Sequence, residues 1–203
     1  AMQSAEWLAK ALGGKGNVVA INGVAGHPAN QMRVDGYREV FAKHPDIKIL
    51  NEANANWDEA QGQQAAQTLL ATYPDLNGIW VQDGMAAGAW RAIAASGRKD
   101  IAATGEIRVD FLKAWKEGGY NSGASVNPPG VMASALNVTV LRLQGREFKD
   151  GVFGGVYGNA IYLPIPFIDN TNFDTVYESV KDKPAYFSVT STVSIEDAGK
   201  FFK

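Results

Sequence analysis

Short apolar runs and helical stripes of apolar residues alternate along most of this chain. Asn17 opens an uninterrupted apolar run to Ile21, which is typical of a buried strand, whereas residues 4–12 repeat apolar side chains at helical spacing. The same reading predicts helices over residues 4–12, 28–43, 56–73, 84–96 and 109–117, and strands over residues 17–21, 46–50, 78–81, 101–104 and 121–126.

This alternation determines the expected fold class. Consecutive short strands joined by helices of ten or more residues need crossover connections, and crossovers of this kind build a parallel sheet that is covered on both faces. Because such crossovers are right-handed, we predict an α/β fold with a doubly wound parallel sheet.

The pattern changes after residue 126. A breaker cluster at 127–130 precedes an amphipathic helix over 130–143, and residues 161–168 form an extended segment whose prolines forbid a central strand. A helix over 173–180 and a polar tail at 188–196 complete the predicted elements.

Composition narrows the function classes. The chain has 203 residues, 46% of them hydrophobic, with 19 basic and 21 acidic side chains, which is typical of a globular protein and argues against nucleic-acid binding through phosphate attraction. It has no cysteine and only two histidines, His27 and His44, so we expect no metal site and no thiol chemistry. The sequence opens without a basic and apolar leader, so we expect any secretion signal to be absent from this chain.

Candidate functional residues follow the ends of the predicted strands, because ligands of open parallel sheets bind outside the carboxyl ends of the strands. They are mostly amides and carboxylates, with one arginine and one large aromatic ring. In chain order they are Asn22, Gly23, Arg33, Asn54, Asn56, Trp57, Gln82, Asp83, Glu106 and Asn127.

This set of side chains suits a carbohydrate. Carboxylates and amides pair with vicinal hydroxyls, an arginine donates in a fork, and the C–H face of a sugar lies flat on an indole ring. The set lacks nucleophiles, so we predict no catalytic residue.

Residues 4–145 resemble the C-terminal lobe of the ribose-binding-protein-like family of periplasmic solute-binding proteins. The resemblance is carried, in order, by Asn22-Gly-Val-Ala-Gly26, Arg33-Val-Asp-Gly-Tyr37, Asn56-Trp57-Asp58, Val81-Gln82-Asp83-Gly84-Met85-Ala-Ala-Gly88, Gly105-Glu106 and Asn127. It implies ligand contacts from Arg33, Trp57, Asp83, Glu106 and Asn127, to which we add Gln82 as a neighbour of Asp83.

The resemblance also implies a function and a set of partners. Members of the family deliver sugars to ATP-driven importers, so we expect a periplasmic protein that binds a monosaccharide or polyol, contacts a membrane permease of an ABC transporter and uses no cofactor. Nucleic acid is not an expected partner.

The domain organisation follows from the same family. We expect residues 1–127 and 167–203 to form one lobe of a type I periplasmic-binding-protein fold, and residues 128–166 to hold hinge crossings with a leftover helix and strand of the second lobe. The opening part of the N-terminal lobe is expected to be missing. A single lobe should bind sugar weakly, and the uncovered helix 130–143 should support a homodimer or a swapped arrangement.

Two departures from the family pattern concern the identity of the sugar. The Gln82–Met85 loop is about one residue shorter than the common form, and the carboxylate after the fourth strand belongs to Glu106 rather than to an aspartate. The extra methylene shifts the preferred sugar, so ribose itself is not assumed.

Each candidate residue also has a purely structural interpretation. Trp57 would pack at a helix start, Arg33 would form a surface ion pair, and Asp83 would cap a helix. Glu106 would face a helix dipole, and Asn127 would belong to a turn before Pro128.

Two other functions stay open. One is the effector-binding core of a lactose-repressor-like transcription regulator, which shares this fold but needs a DNA-binding headpiece before residue 1. The other is a small α/β enzyme, which the sequence disfavours because it has no Gly-x-Ser-x-Gly elbow, no phosphate-binding loop and no dinucleotide fingerprint.

Overall fold

A computed structural model describes residues 1–125, 127–155, 157–163 and 165–203. The chain divides into two compact units: the first comprises Ala1–Ser125 and Phe167–Phe187, and the second comprises Val126–Pro166 and Ser188–Lys203. The helices are α1 (Met2–Ala11), α2 (Pro28–Phe41), α3 (Glu59–Thr72), α4 (Ala86–Ser96), α5 (Val109–Gly118), α6 (Val131–Leu143), α7 (Phe173–Val180) and α8 (Ile195–Ala198). The strands are β1 (Lys15–Asn22), β2 (Asp46–Asn54), β3 (Gly78–Val81), β4 (Ala102–Gly105), β5 (Ser122–Ser125) and β6 (Phe167–Ile168).

The first unit contains a six-stranded sheet in the order β2-β1-β3-β4-β5-β6. The first five strands are parallel, which confirms the predicted α/β class, and the two-residue β6 pairs antiparallel with β5 at one edge. Parallel pairing brings the carboxyl ends of β1 to β4 to the same edge, which positions the loops described below.

Helices α1 and α2 cover one face of this sheet. Leu8 from α1 and Tyr37 from α2 are fully buried against Val18, Ala20 and side chains from β2 to β4. Successive strand residues point to opposite faces. Val19 and Ile21 therefore belong to the other face, where α3 contacts β1 and α4 contacts β4.

The helix after β2 begins later than its predicted start at residue 56. The N-cap is Asp58, whose carboxylate accepts a hydrogen bond of 2.8 Å from the backbone N–H of Gln61. The predicted helix start at residue 56 is wrong, because Asn56 and Trp57 have φ values of 54° and 56° and so cannot continue into a right-handed helix.

The second unit is built around α6 and the end of the chain. Leu141 of α6 is buried with Ala198 and Phe202, and Asn137 donates a 2.8 Å hydrogen bond to the carbonyl of Val193. Residues 188–203 therefore pack in the second unit. Their predicted membership of the first lobe stays a prediction. The parts of the predicted segments 121–126 and 161–168 that fall on Val126 and Pro164 lie outside the described residues, as does Val156.

Candidate functional site

Side chains from one helix and two connecting segments meet at the carboxyl edge of the sheet in the first unit. Arg33 comes from α2, Trp57 from the turn after β2, and Gln82 and Asp83 from the segment after β3. Direct contacts join these four residues into one cluster, which is called the Trp57 cluster below.

The indole of Trp57 lies against the backbone of Gly23. A Cβ atom added to Gly23 would come within 2.1 Å of the Trp57 Cε2 atom, so only glycine leaves room for the ring here. His27 meets the same indole edge to face, with ring centroids 5.0 Å apart. The two consecutive left-handed residues Asn56 and Trp57 carry backbone strain, which in folded proteins concentrates at functional sites.

Gln82 connects the residues of the cluster through hydrogen bonds. Its Oε1 accepts hydrogen bonds from the indole N–H of Trp57 at 2.8 Å and from Nη1 of Arg33 at 3.4 Å. Its Nε2 donates to Oδ1 of Asn30 at 2.8 Å. Gln82 is only 3% exposed, so its amide faces the protein and not the solvent.

Arg33 and Asp83 form an ion pair beside the ring. Nη1 of Arg33 lies 2.7 Å from Oδ2 of Asp83, and about a quarter to a third of each side chain is exposed, at 27% and 33%. The Arg33 guanidinium carbon also lies 5.8 Å from the centroid of the Trp57 ring. A flat apolar surface therefore stands next to a partly exposed donor and a partly exposed acceptor.

Glu106 sits in a more buried environment at the start of α4. One of its carboxylate oxygens accepts a 3.2 Å hydrogen bond from the N–H of Ala87, and Nη2 of Arg108 lies 3.9 Å away. Burial raises the pKa of the Glu106 carboxyl to about 7, an effect that the nearby Arg108 opposes. Arg108 is itself held by Glu59 at 2.9 Å and by Asp110 at 2.7 Å.

Asn127 does not belong to the same compact unit as the cluster. It lies in the second unit, where it is exposed and precedes the turn that leads to α6. Its role as a ligand contact stays a prediction.

Three residues that shape the cluster were missed or undervalued by the sequence analysis. Asn30 is buried on α2, and its polar side chain at an inward helix position was the available signal. His27, which directly precedes the predicted helix over 28–43, caps α2 by accepting a 3.1 Å hydrogen bond from the N–H of Ala29. Gly23 was noted only for its position after the first strand, and the close approach of Trp57 is a tertiary fact.

Two surface cavities lie at the opposite edge of the sheet. One, of about 460 Å³, is lined by residues from the C-terminal ends of α4 and α5, including Trp90 and Tyr120. The other lies between the C-terminal ends of α3 and α4, beside Arg98. The Arg98 guanidinium is already bound by Asp100 and by the carbonyls of Pro74 and Leu76.

The described residues contain neither a metal-binding cluster nor a membrane-spanning helix. Among these residues, no group of three or more His, Cys, Asp or Glu side chains is placed to hold a metal ion. Within the same described ranges, every helix is too short or too polar to cross a bilayer.

Comparison with known proteins gives matches over most of the chain. Residues 1–147 match the family model described as the periplasmic binding protein domain. The chain is 29% identical over 181 residues to the xylitol-binding protein of Mycolicibacterium smegmatis, which covers 88% of this chain and 49% of that protein. It is 31% identical over 146 residues to the ribose import binding protein RbsB of Escherichia coli, covering 71% of this chain and 49% of that protein. The chain thus spans about half the length of the curated relatives that it matches.

Solved structures of solute binding proteins superpose on most of this chain. An ABC transporter periplasmic solute binding protein from Actinobacillus succinogenes with bound D-allose superposes with a TM-score of 0.72 at 25% identity, over 86% of this chain and 60% of that one. An ABC transporter solute binding protein from Thermobispora bispora superposes with a TM-score of 0.76 at 23% identity, over 98% of this chain and 58% of that one.

Proposed function

This chain belongs to the periplasmic binding protein domain family, and we propose that it binds a monosaccharide or a related polyol through the Trp57 cluster, without catalysis, for an ABC-type importer. The observation that carries the proposal is the meeting of the Trp57 ring with the Arg33–Asp83 pair at the carboxyl edge of a parallel sheet. The relatives named for xylitol and ribose support the ligand class. Their names favour a solute-binding protein over a repressor core or an enzyme.

The chemistry of the cluster fits a hydroxylated ring. The indole face of Trp57 matches the apolar C–H face of a sugar, while Asp83 offers carboxylate oxygens and Arg33 offers N–H donors to vicinal hydroxyls. Charge-assisted bonds of this kind are stronger than bonds between neutral groups, which favours the binding of a small polyol despite its few atoms.

Glu106 and Asn127 extend the proposal. We infer that Glu106 accepts from a ligand hydroxyl after a local opening at the start of α4, because the closed arrangement leaves its side chain 7% exposed. Asn127 is proposed as an amide contact on the basis of the family resemblance.

The cellular setting follows from the family. We propose that the protein acts in the periplasm, which the description of its family supports, and that it hands its ligand to a membrane permease, as befits relatives named as import binding proteins.

A sugar panel tests the proposal directly. Titration of the chain with D-ribose, xylitol, D-allose and myo-inositol, followed by the indole N–H signals in ¹⁵N NMR spectra, should give a saturable shift of the Trp57 signal with at least one of them. We expect a dissociation constant weaker than about 10 µM, because a cluster on one unit covers the ligand from one side only. No saturable shift with any member would refute the proposal.

Trp7 provides a matched control for Trp57. Its ring packs on Gly123 much as Trp57 packs on Gly23, but it belongs to α1. Trp57→Ala should weaken sugar binding about tenfold through the lost stacking surface, whereas Trp7→Ala should lower stability and leave the affinity within about twofold. Equal affinity losses in both variants would show that Trp57 acts only through packing.

We also propose that the apolar face of α6 supports a homodimer. Val131, Met132, Leu136 and Leu143 are exposed on this helix, and contiguous exposed apolar surface favours association. Sedimentation at high concentration should show a dimer that Leu136→Glu removes. A monomer at every concentration would contradict the proposal.

A further inference from the structure

We infer that Asn30 and Gln82 are positioning residues that hold the Trp57 ring and the Arg33 guanidinium in the orientation used for ligand binding. The inference rests on the proposed function. It changes the role that the sequence suggested for Gln82, from a ligand contact to a support behind the contacts.

The donors around Gln82 determine how its amide is oriented. An indole N–H and a guanidinium can only donate, so the oxygen of Gln82 must face Trp57 and Arg33, and its NH₂ group must face Asn30. All of these groups are joined at a side chain that is 3% exposed. A ligand in solvent therefore meets Trp57 and Arg33, while Gln82 stays behind them.

One oxygen atom of Asn30 binds both the backbone of Gly23 and the side chain of Gln82. Its Oδ1 accepts a 2.8 Å hydrogen bond from the backbone N–H of Gly23 and another of 2.8 Å from Nε2 of Gln82. Gly23 is the surface on which the indole lies, and Gln82 binds the edge of the same indole. One buried amide oxygen on α2 thus holds both the surface beneath the ring and the hydrogen bond at its edge.

This arrangement determines what the ring offers to a ligand. The indole N–H of Trp57 is already bound to Gln82 at 2.8 Å, so Trp57 contributes its apolar face and not a hydrogen-bond donor. Polar recognition is then left to groups such as Arg33 and Asp83. The predicted consequence is that Trp57→Phe keeps a stacking face but loses the bond that orients it.

The test uses the full chain and reads the indole N–H of Trp57 by ¹⁵N NMR, with Trp57→Phe to assign the signal. Gln82→Met removes the acceptor, and Asn30→Leu removes the group behind it without touching the indole. We expect both variants to shift the Trp57 signal upfield and to speed its hydrogen exchange at least about fivefold. Asn30→Asp, which keeps an acceptor oxygen, should hold the signal near its wild-type position.

Ser4→Ala is the matched control. Ser4 is a buried residue that accepts a 3.0 Å hydrogen bond from the indole N–H of Trp80, so its loss should shift the Trp80 signal and leave that of Trp57 in place. An unchanged Trp57 signal in both Gln82→Met and Asn30→Leu would overturn the inference.

Sugar affinity gives the second readout and separates the two proposals. If a sugar binds the wild-type chain, Gln82→Met and Asn30→Leu should weaken its binding about tenfold, and Ser4→Ala should not. A shifted indole signal with unchanged affinity would overturn the positioning role. If no sugar binds, the proposed function fails, and the indole signals alone decide whether Asn30 and Gln82 hold the ring.

Discussion

Gly23→Ala should reduce sugar affinity about hundredfold, roughly tenfold from lost stacking and a further tenfold because the displaced ring occupies the place of the ligand. The new Cβ would lie 2.1 Å from Cε2 and 2.2 Å from Nε1 of Trp57, so the indole must move and its bond to Gln82 must lengthen. Stability should fall by about 1–3 kcal/mol, as for other overpacked sites. Sugar titration and chemical denaturation measure the two effects.

Gly84→Ala is the control for this substitution. Gly84 lies in the neighbouring loop, and a Cβ atom there would meet only the carbonyl oxygen of Trp57, at an ordinary 3.8 Å. We expect its affinity to stay within about twofold of the wild type.

A double-mutant cycle identifies the cause of the Gly23→Ala effect. If the new methyl group clashes with the ring, adding Trp57→Ala should remove most of the stability loss. Wild-type affinity in Gly23→Ala, or a stability loss that persists without the indole, would contradict the role given to Gly23.

Glu106→Gln should stabilise the protein at pH 8 by about 3 kcal/mol relative to the wild type, and by almost nothing near pH 4. The glutamine resembles the protonated acid, which is the form that the buried site favours, since burial raises the pKa of Glu106 to about 7. Urea denaturation of both proteins from pH 4 to pH 8 measures the difference.

The sign of the pH dependence follows from the raised pKa. The folded state holds the Glu106 proton more tightly than the unfolded chain does, so the stabilising contribution is complete below the ordinary value of 4.5. It is lost progressively as the pH rises through about 7. The charged groups around the carboxyl are Arg108, which favours ionisation, and Asp110 and Glu59, which oppose it.

Glu52→Gln should behave in the opposite way. Hydrogen bonds from Arg38 lower the pKa of Glu52, and Tyr37 donates to the same carboxylate at 2.5 Å. Its contribution to stability is therefore present above its ordinary pKa and lost as the pH falls, so Glu52→Gln should destabilise the protein at pH 8.

The Glu106 prediction would be contradicted by a stability difference between Glu106→Gln and the wild type that does not change with pH. That result would show that Glu106 ionises as readily in the folded state as in the unfolded chain.

The elements of the first unit were largely predictable because they depend on local periodicity. The apolar run ending at Ile21 and the helix opened by Pro28 lie where the pattern places them. The predicted start of the third helix at residue 56 was wrong because of the backbone conformation of the residues before it. Two left-handed residues precede the helix, and non-glycine residues seldom signal that conformation in a sequence.

The sequence predicted which residues form the candidate site better than it predicted what each residue does there. Parallel strands bring their carboxyl ends together, so Arg33, Trp57 and Asp83 could be grouped from their positions after the predicted strands. The buried position of Gln82 could not, because its contacts with Asn30 and Trp57 join residues that are 52 and 25 positions apart.

By itself, the sequence determined the α/β class, the strand positions and the residue types at one edge of the sheet, because periodicity and strand ends are properties of short segments. The tertiary structure alone decided that Trp57 lies on Gly23, that one oxygen of Asn30 holds both neighbours of the ring, and that Glu106 is buried. Those features depend on packing between distant segments, where a single atom such as a Cβ or an amide oxygen determines whether the groups fit.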